Sequence, residues 1–317
     1  MLIPQDHTTF QDDYEEYLLV SRSIGKATIK NYLSDARLFW RFVQQGFPSS
    51  PEFAFNQQIL AKYVSWLTGK GFSSNSIARN LSSLRSLVRY LRTKTSSMES
   101  FPNLIAAPST VTTVPSFLNQ RQVIALLNGP ELITLWGFRD ACILEVLYST
   151  GLRVSELTRI DRRALKLSDN EIRVLGKGSK ERVVFLTVHC RELLLEYLTR
   201  LDSSGNMTRG DVQPLFINRR KERLSDRSVQ RIIKRYAKDV GIDPSTHPHT
   251  LRHSFATHML DGGASLTSVQ RLLGHSSTRA TEVYLHPNLE RAREIYRDSH
   301  PRASKRTQEE CLRKCES

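Results

Sequence analysis

Apolar residues recur through residues 8–94 at three- and four-residue spacings, and the rhythm breaks three times. Phe10, Tyr14, Tyr17 and Leu18 form a first stripe, and Ile29, Tyr32, Leu33, Ala36, Phe39, Trp40 and Val43 a longer second. Ile59, Leu60, Tyr63, Val64 and Leu67 form a third, and Ile77, Leu81, Leu84, Val88 and Leu91 a fourth. Such spacings fall on one helical face, so the segment predicts four amphipathic helices whose stripes make a core. Gly25, Gly46-Phe47-Pro48 and Gly69-Lys70-Gly71 mark the breaks, and Ser73, Ser74 and Asn75 suit a helix start.

Residues 101–116 carry three prolines, clustered Ser and Thr and no charge, which predicts an extended connector and a domain boundary. Beyond it, Asn119 can cap a short helix through Leu127, and Leu132, Leu135, Trp136, Cys142, Ile143, Val146 and Leu147 trace a longer one. Gly151 ends that helix and Arg153 sits near the start of the next turn. Residues 171–175 and 182–186 are rich in β-branched residues, and Gly176 and Gly178 can turn the chain between them, so a hairpin is predicted with Lys177 at its tip. The pattern GxxxxGK[ST] is absent and the flanks are strands, which excludes a P-loop. Residues 187–200 return to helix, and residues 202–214 are loop.

Charge changes the picture. The chain of 317 residues, comfortable for two domains, carries a formal net charge of +14, which points to a polyanionic partner. Residues 219–238 hold nine Lys or Arg against two acids. Ser225 and Asp226 can cap a helix there, with Val229, Ile232, Ile233, Tyr236 and Val240 on its apolar face. Arg227, Arg231, Lys234 and Lys238 fall on another face. In the first domain Arg85, Arg89 and Arg92 make a similar row, with Ser82, Ser83 and Ser86 crowding the same region. Both rows suit phosphate contacts. A membrane-surface helix is the competing reading of the second. No run approaches the length of a membrane span and no secretory signal is visible, so a cytoplasmic, nucleic-acid-binding protein is expected. Cys142 and Cys190 lie in apolar periodic segments and read as reduced thiols; Cys311 and Cys315 lack the further ligands a zinc site needs.

The chemistry gathers in residues 247–286, which hold six of the nine histidines together with Arg252 and Tyr284. HExxH is absent, no GxSxG surrounds Ser254, and His253 and His258 point about 140° apart on a helix. If the substrate is a phosphodiester, the guanidinium fork suits the charge that builds on its oxygens, with Arg153 the best second arginine. Histidine can move a proton near neutral pH, a tyrosine can attack phosphorus, and a hairpin lysine can protonate the leaving oxygen.

TGLRVSEL around Arg153, LGKGSKER around Lys177, HPHTLRHSFATHML around His249 and Arg252, LLGHSS around His275 and the tyrosine Tyr284 stand in the order and spacing of one family. The chain resembles the tyrosine site-specific recombinases of the phage integrase family, nearest the Xer type, and its YRDSHPRA ending leans toward the XerC kind. The resemblance implies a fold that is mainly α with a small antiparallel β-sheet. A SAM-like N-terminal helical bundle that binds the core site spans residues 1–103, a linker 104–116, a catalytic domain 117–300 and a basic tail 301–317. It implies that Arg153 and Arg252 clamp the scissile phosphate. His249 and His275 assist, with His249 accepting the tyrosine proton, Lys177 is the general acid, and Tyr284 joins the DNA 3′-phosphate. Glu156 supports the site, while His247, His253, His258 and His286 are structural or stand behind the reacting groups. No metal or other cofactor is required. The implied partners are double-stranded DNA, a tetramer of like chains or with a XerD-like sister recombinase, and a division-associated DNA translocase. The segment NLERAREIYRDSH resembles the family's docking helix, with Ala292, Ile295 and Tyr296 as its apolar face. The implied task is resolving chromosome or plasmid dimers at cell division; the alternative is a phage or integron integrase with the same chemistry.

Overall fold

The computed structural model describes residues 7–22, 26–46, 55, 57–94, 117–176, 181–205, 212–274 and 286–303. The chain forms two compact units, Met1–Thr113 and Val114–Ser317.

The first unit contains α1 (His7–Arg22), α2 (Lys26–Gly46), α3 (Gln57–Gly69) and α4 (Ser74–Lys94). The four predicted stripes meet in one core around Tyr14, Leu33, Phe39, Tyr63, Leu84 and Leu87. Ser73 Oγ accepts the Ser76 amide and so starts α4. Inside this core sits a buried carboxylate, Asp35, that receives Arg79 Nη1 at 2.5 Å, Asn80 Nδ2 at 3.0 Å and Ser83 Oγ at 2.7 Å. A charge removed from water needs such partners, and they join α2 to α4. This corrects the expected serine cluster. Two residues from Arg85 a helix has turned by about 200°, so Ser83 faces inward and Ser86 is buried as well, while Ser82 stays exposed.

The second unit is built around α6 (Leu135–Thr150). Every residue from Gly137 to Thr150 is buried, as expected of a helix apolar on nearly all sides. The helix begins three residues later than Leu132 suggests: Thr134 caps it by accepting the Gly137 amide at 3.1 Å, and Leu132 and Ile133 are exposed. Its charged residues are satisfied. Asp140 receives Arg139 and Arg235, and Glu145 receives Arg302 Nε at 3.1 Å. α5 (Gln120–Leu127) precedes it, entered through a capping box between Asn119 and Gln122.

After α7 (Val154–Leu157) comes a three-stranded antiparallel sheet in the order β1 (Leu165–Lys166), β2 (Glu171–Leu175), β3 (Glu181–Phe185). Glu171 pairs with Phe185 and Leu175 with Glu181. β3 thus lies one residue earlier than expected, because pairing ends where Leu186 N–H turns to the carbonyl of Asn170, a residue in the left-handed conformation. α8 (Val188–Ser203) is capped by Thr187 and packs on α6. α9 (Asp226–Asp239) is capped by Ser225; Asp226 instead accepts Thr158 Oγ1 at 2.6 Å, tying α9 to the turn after α7. α10 (Pro248–Asp261), α11 (Leu266–Leu272) and α12 (His286–Ser299) complete the unit.

α12 packs on α10 and α11 of its own unit. Tyr296 is buried and donates to the Ser149 carbonyl at 2.9 Å, and Ala292 and Ile295 are half-buried against the same core. Gly262 lies so close to Ser299 that a Cβ there would meet its carbonyl oxygen at 2.1 Å. His300, just past α12, is buried with its ring 5.0 Å from that of Tyr296 and 5.2 Å from that of Tyr148. No helix among the described residues is long and apolar enough to cross a membrane.

Candidate active site

The site starts where α6 stops. Gly151 takes φ 61°, a left-handed conformation that ends the helix and turns the chain toward Arg153. Arg153 caps α7, and Glu156 in the first turn reaches back to it: Oε2 accepts the Arg153 amide at 2.9 Å and Oε1 accepts Arg153 Nη1 at 3.2 Å. Strand β3 delivers a second cation to the same carboxylate. Arg182 Nη1 and Nη2 donate to Glu156 Oε1 and Oε2 at 2.8 and 2.9 Å, a planar two-point pair. Burial works to raise the Glu156 carboxyl. The hydrogen bonds from Arg182 and the Arg153 amide, with the charges of both arginines, outweigh it and hold the group below the usual carboxylate range.

α10 supplies the opposite wall. Pro248 occupies its first turn and His247 caps it, Nδ1 accepting the Thr250 amide at 3.2 Å. His249 and Arg252 are three residues apart, so they share a face. Arg252, 8% exposed, donates Nη1 to the Gly151 carbonyl at 2.6 Å and Nη2 to the Leu273 carbonyl at 2.8 Å. These two bonds bind α10 to the turn before Arg153 and to the end of α11. Burial, then the neighbouring charge of Arg153, lowers the Arg252 pKa to about 10, which leaves it charged at neutral pH. The imidazole of His249 is pushed below its ordinary value by burial and by His247, Arg252 and Arg153. It is therefore mainly neutral near pH 7 and able to accept a proton. Two fixed guanidinium groups that feel each other's charge, beside a neutral imidazole, make a place that an anion relieves.

Of the expected site residues, Arg153, His249 and Arg252 come together here. Lys177, His275 and Tyr284 lie outside the described residues. Arg85, Arg89 and Arg92 are exposed on α4 in the first unit; Arg227, Arg231 and Lys234 are exposed on α9 in the second. The opposite side of α9 is buried through Val229, Ile232, Ile233 and Tyr236. Arg235, outside that row, pairs with Asp140, and Trp136, Arg219 and Arg231 line a cleft of about 950 Å³ beside it. His253 is half-buried and His258 is buried against Tyr148, its Nδ1 2.9 Å from the hydroxyl. Among the described residues no group of acids, histidines and cysteines is arranged to hold a metal ion. Cys142 and Cys190 are free and buried, which raises both thiols above their ordinary range.

Sequence reasoning missed Arg182. An arginine in a strand carries no apolar signal, and its partner Glu156 is 26 residues away. The available clue is strand parity: Arg182 shares a face with Val184, which points inward.

The chain matches the phage integrase family over residues 116–291 and the N-terminal SAM-like domain of phage integrases over residues 12–95. It is 35% identical to the tyrosine recombinase XerC of Syntrophus aciditrophicus, over 92% of this chain and 97% of that one. It is 34% identical to the tyrosine recombinase XerD of Staphylococcus epidermidis, over 93% and 99%. Its fold is similar to the crystal structure of XerH site-specific recombinase bound to palindromic difH substrate, with a TM-score of 0.69 at 23% identity over 90% and 83%.

Proposed function

The chain belongs to the phage integrase family as a Xer-type tyrosine recombinase, a site-specific DNA recombinase, and we propose that it works through the following residues. Arg153 and Arg252 hold the non-bridging oxygens of the scissile phosphate. The Tyr284 oxygen bonds to phosphorus while its proton passes to His249. The bond to the 5′-oxygen breaks, and Lys177 protonates that oxygen. His275 adds a hydrogen bond to the phosphate. One phosphodiester is exchanged for a 3′-phosphotyrosine, so the energy for rejoining is kept and neither a metal nor a nucleotide is consumed. The observation that carries this reading is the pairing of Arg153 and Arg252 around the Gly151 turn beside a neutral His249.

The partner in this reading is double-stranded DNA. The α4 row and the α9 row each offer cations to its backbone, one from each unit. The DNA-bound recombinase of similar fold supports that partner. We place the functional domains at residues 1–103 and 117–300, with a linker at 104–116 and a basic tail at 301–317. Four protomers act on two sites, as one kind of chain or with a XerD-like sister, in the cytoplasm and under a division-associated DNA translocase. The Xer names of the relatives support resolution of circular dimers as the biological task. The test is a nicked suicide substrate incubated with chelator. The wild-type chain should form a covalent adduct and Tyr284→Phe none; an adduct that needs magnesium would remove the reading.

A further inference from the structure

The described part of the site holds a buried ion pair that these roles leave unused, and its cation is the guanidinium of Arg182. It meets Glu156 through two bonds of 2.8 and 2.9 Å, and both side chains are 6% exposed. The same two carboxylate oxygens hold Arg153, through a 3.2 Å side-chain bond and a 2.9 Å amide bond. Glu156 is therefore one acceptor shared by two arginines, and the shorter side-chain bonds go to Arg182. Arg153 keeps a single longer one, with 36% of its side chain exposed. We infer that Arg182 is a positioning residue for Arg153: by occupying both oxygens of Glu156, it keeps that carboxylate from closing on Arg153 and leaves the Arg153 fork available to the scissile phosphate.

The physical reason is the cost of a buried carboxylate that lacks a partner. With Arg182 in place, the demand of Glu156 is met in plane. Without it the nearest remaining cation is Arg153, three residues away on the same turn. Arg153 would then swing onto Glu156, neutralising the pair and withdrawing its donors from the substrate. A second contact points the same way. Gly274 has φ 67°, and a Cβ there would stand 3.0 Å from the Nε and Cζ of Arg182. The backbone leading into residue 275 thus lies directly against the guanidinium, whose buried Nε makes no hydrogen bond among the described residues. The adjacent Leu273 carbonyl is the one that Arg252 grips. Arg182 bears on both arginines of the site without touching substrate.

The inference rests on the recombinase reading. Its test compares the full-length wild type with R182Q, E156Q and the double variant R182Q/E156Q. The measurements are the rate of adduct formation on a nicked suicide substrate, DNA affinity and thermal melting. R182Q should slow cleavage by about 100-fold, the scale of a misplaced catalytic group, with DNA affinity little changed. The double variant should be roughly tenfold faster than R182Q, because removing the carboxylate releases Arg153. R182K, which keeps the charge but loses the planar fork, should fall between wild type and R182Q. A merely structural arginine predicts a double variant as slow as R182Q or slower, and that result overturns the inference, as does wild-type cleavage by R182Q. If melting shows R182Q unfolded, R182K against R182K/E156Q makes the same comparison with the same two outcomes. A wild-type chain that forms no adduct overturns the recombinase reading itself, and the inference with it.

Discussion

Gly151→Ala tests how the fold holds the site. Gly151 has φ 61°, and a Cβ there would lie 2.6 Å from Phe255 Cδ1 and 2.7 Å from Leu273 Cδ2. Phe255 is buried against the His300 ring at 5.6 Å, so it has little room to move. The left-handed backbone costs alanine roughly 1–2 kcal/mol, and one extra carbon in a packed core costs about 1–3 kcal/mol. A more restricted unfolded chain returns about 0.4–1 kcal/mol. The net loss is on the order of 1–5 kcal/mol, within what a domain of ordinary stability survives. The functional loss should be greater in proportion. The Gly151 and Leu273 carbonyls are the two acceptors of Arg252, and the new methyl pushes on both segments. Displacing that guanidinium by about 1 Å should slow cleavage by ~100-fold. Urea denaturation of the full-length chain reads the first quantity, and single-turnover cleavage of a nicked substrate reads the second. A variant within about 0.5 kcal/mol of wild type that cleaves at the wild-type rate would refute the argument that this turn seats Arg252.

Further outcomes follow from other parts of the structure. Burial lowers His300 from an ordinary 6.5 to about 3, so between those values the unfolded chain binds a proton that the folded chain does not, and stability rises with pH. Acidification from pH 7 to 5 should cost about 2 kcal/mol through this residue. Because the depressed His258 acts in the same direction, the reading is the difference in melting between wild type and His300→Gln, and parallel pH curves would contradict it. Replacing Arg227, Arg231 and Lys234 by alanine should reduce the salt slope of DNA binding by about 0.9 for each phosphate that is no longer neutralised; an unchanged slope would take α9 out of the interface. Lys177→Ala should cripple cleavage of a normal phosphodiester but much less that of a 5′-phosphorothiolate, whose leaving group needs no proton. Equal impairment of both would end the general-acid role.

What the sequence made legible followed from local spacing. The stripes of the first unit, the cap at Asn119 and the stop at Gly151 each write their signal within a few residues. Leu132 misled because it fits the helical period, whereas the Thr134 cap decides where α6 begins. Ser83 misled because a small polar residue suits an exposed basic face and an inward polar network equally well. Only the buried Asp35, 48 residues from Ser83, separates the two. In the site, Arg153, His249 and Arg252 could be named from their motifs. What holds them could not: Arg252 rests on carbonyls 101 and 21 residues distant, and backbone acceptors leave no trace in residue identity. Arg182 was hidden for a related reason, since a buried ion pair across 26 residues looks in sequence like two unrelated surface charges.

The central claim is that Tyr284 becomes joined to DNA through a 3′-phosphate. It is tested most directly by trapping the adduct on a nicked substrate in chelator, digesting the DNA to a short remnant and sequencing the tryptic peptides by mass spectrometry. The account predicts that the peptide covering residues 280–291 carries the nucleotide mass on Tyr284, the only tyrosine within it. A nucleotide found on any other residue, or no covalent remnant at all from a chain that still binds its DNA, would contradict it.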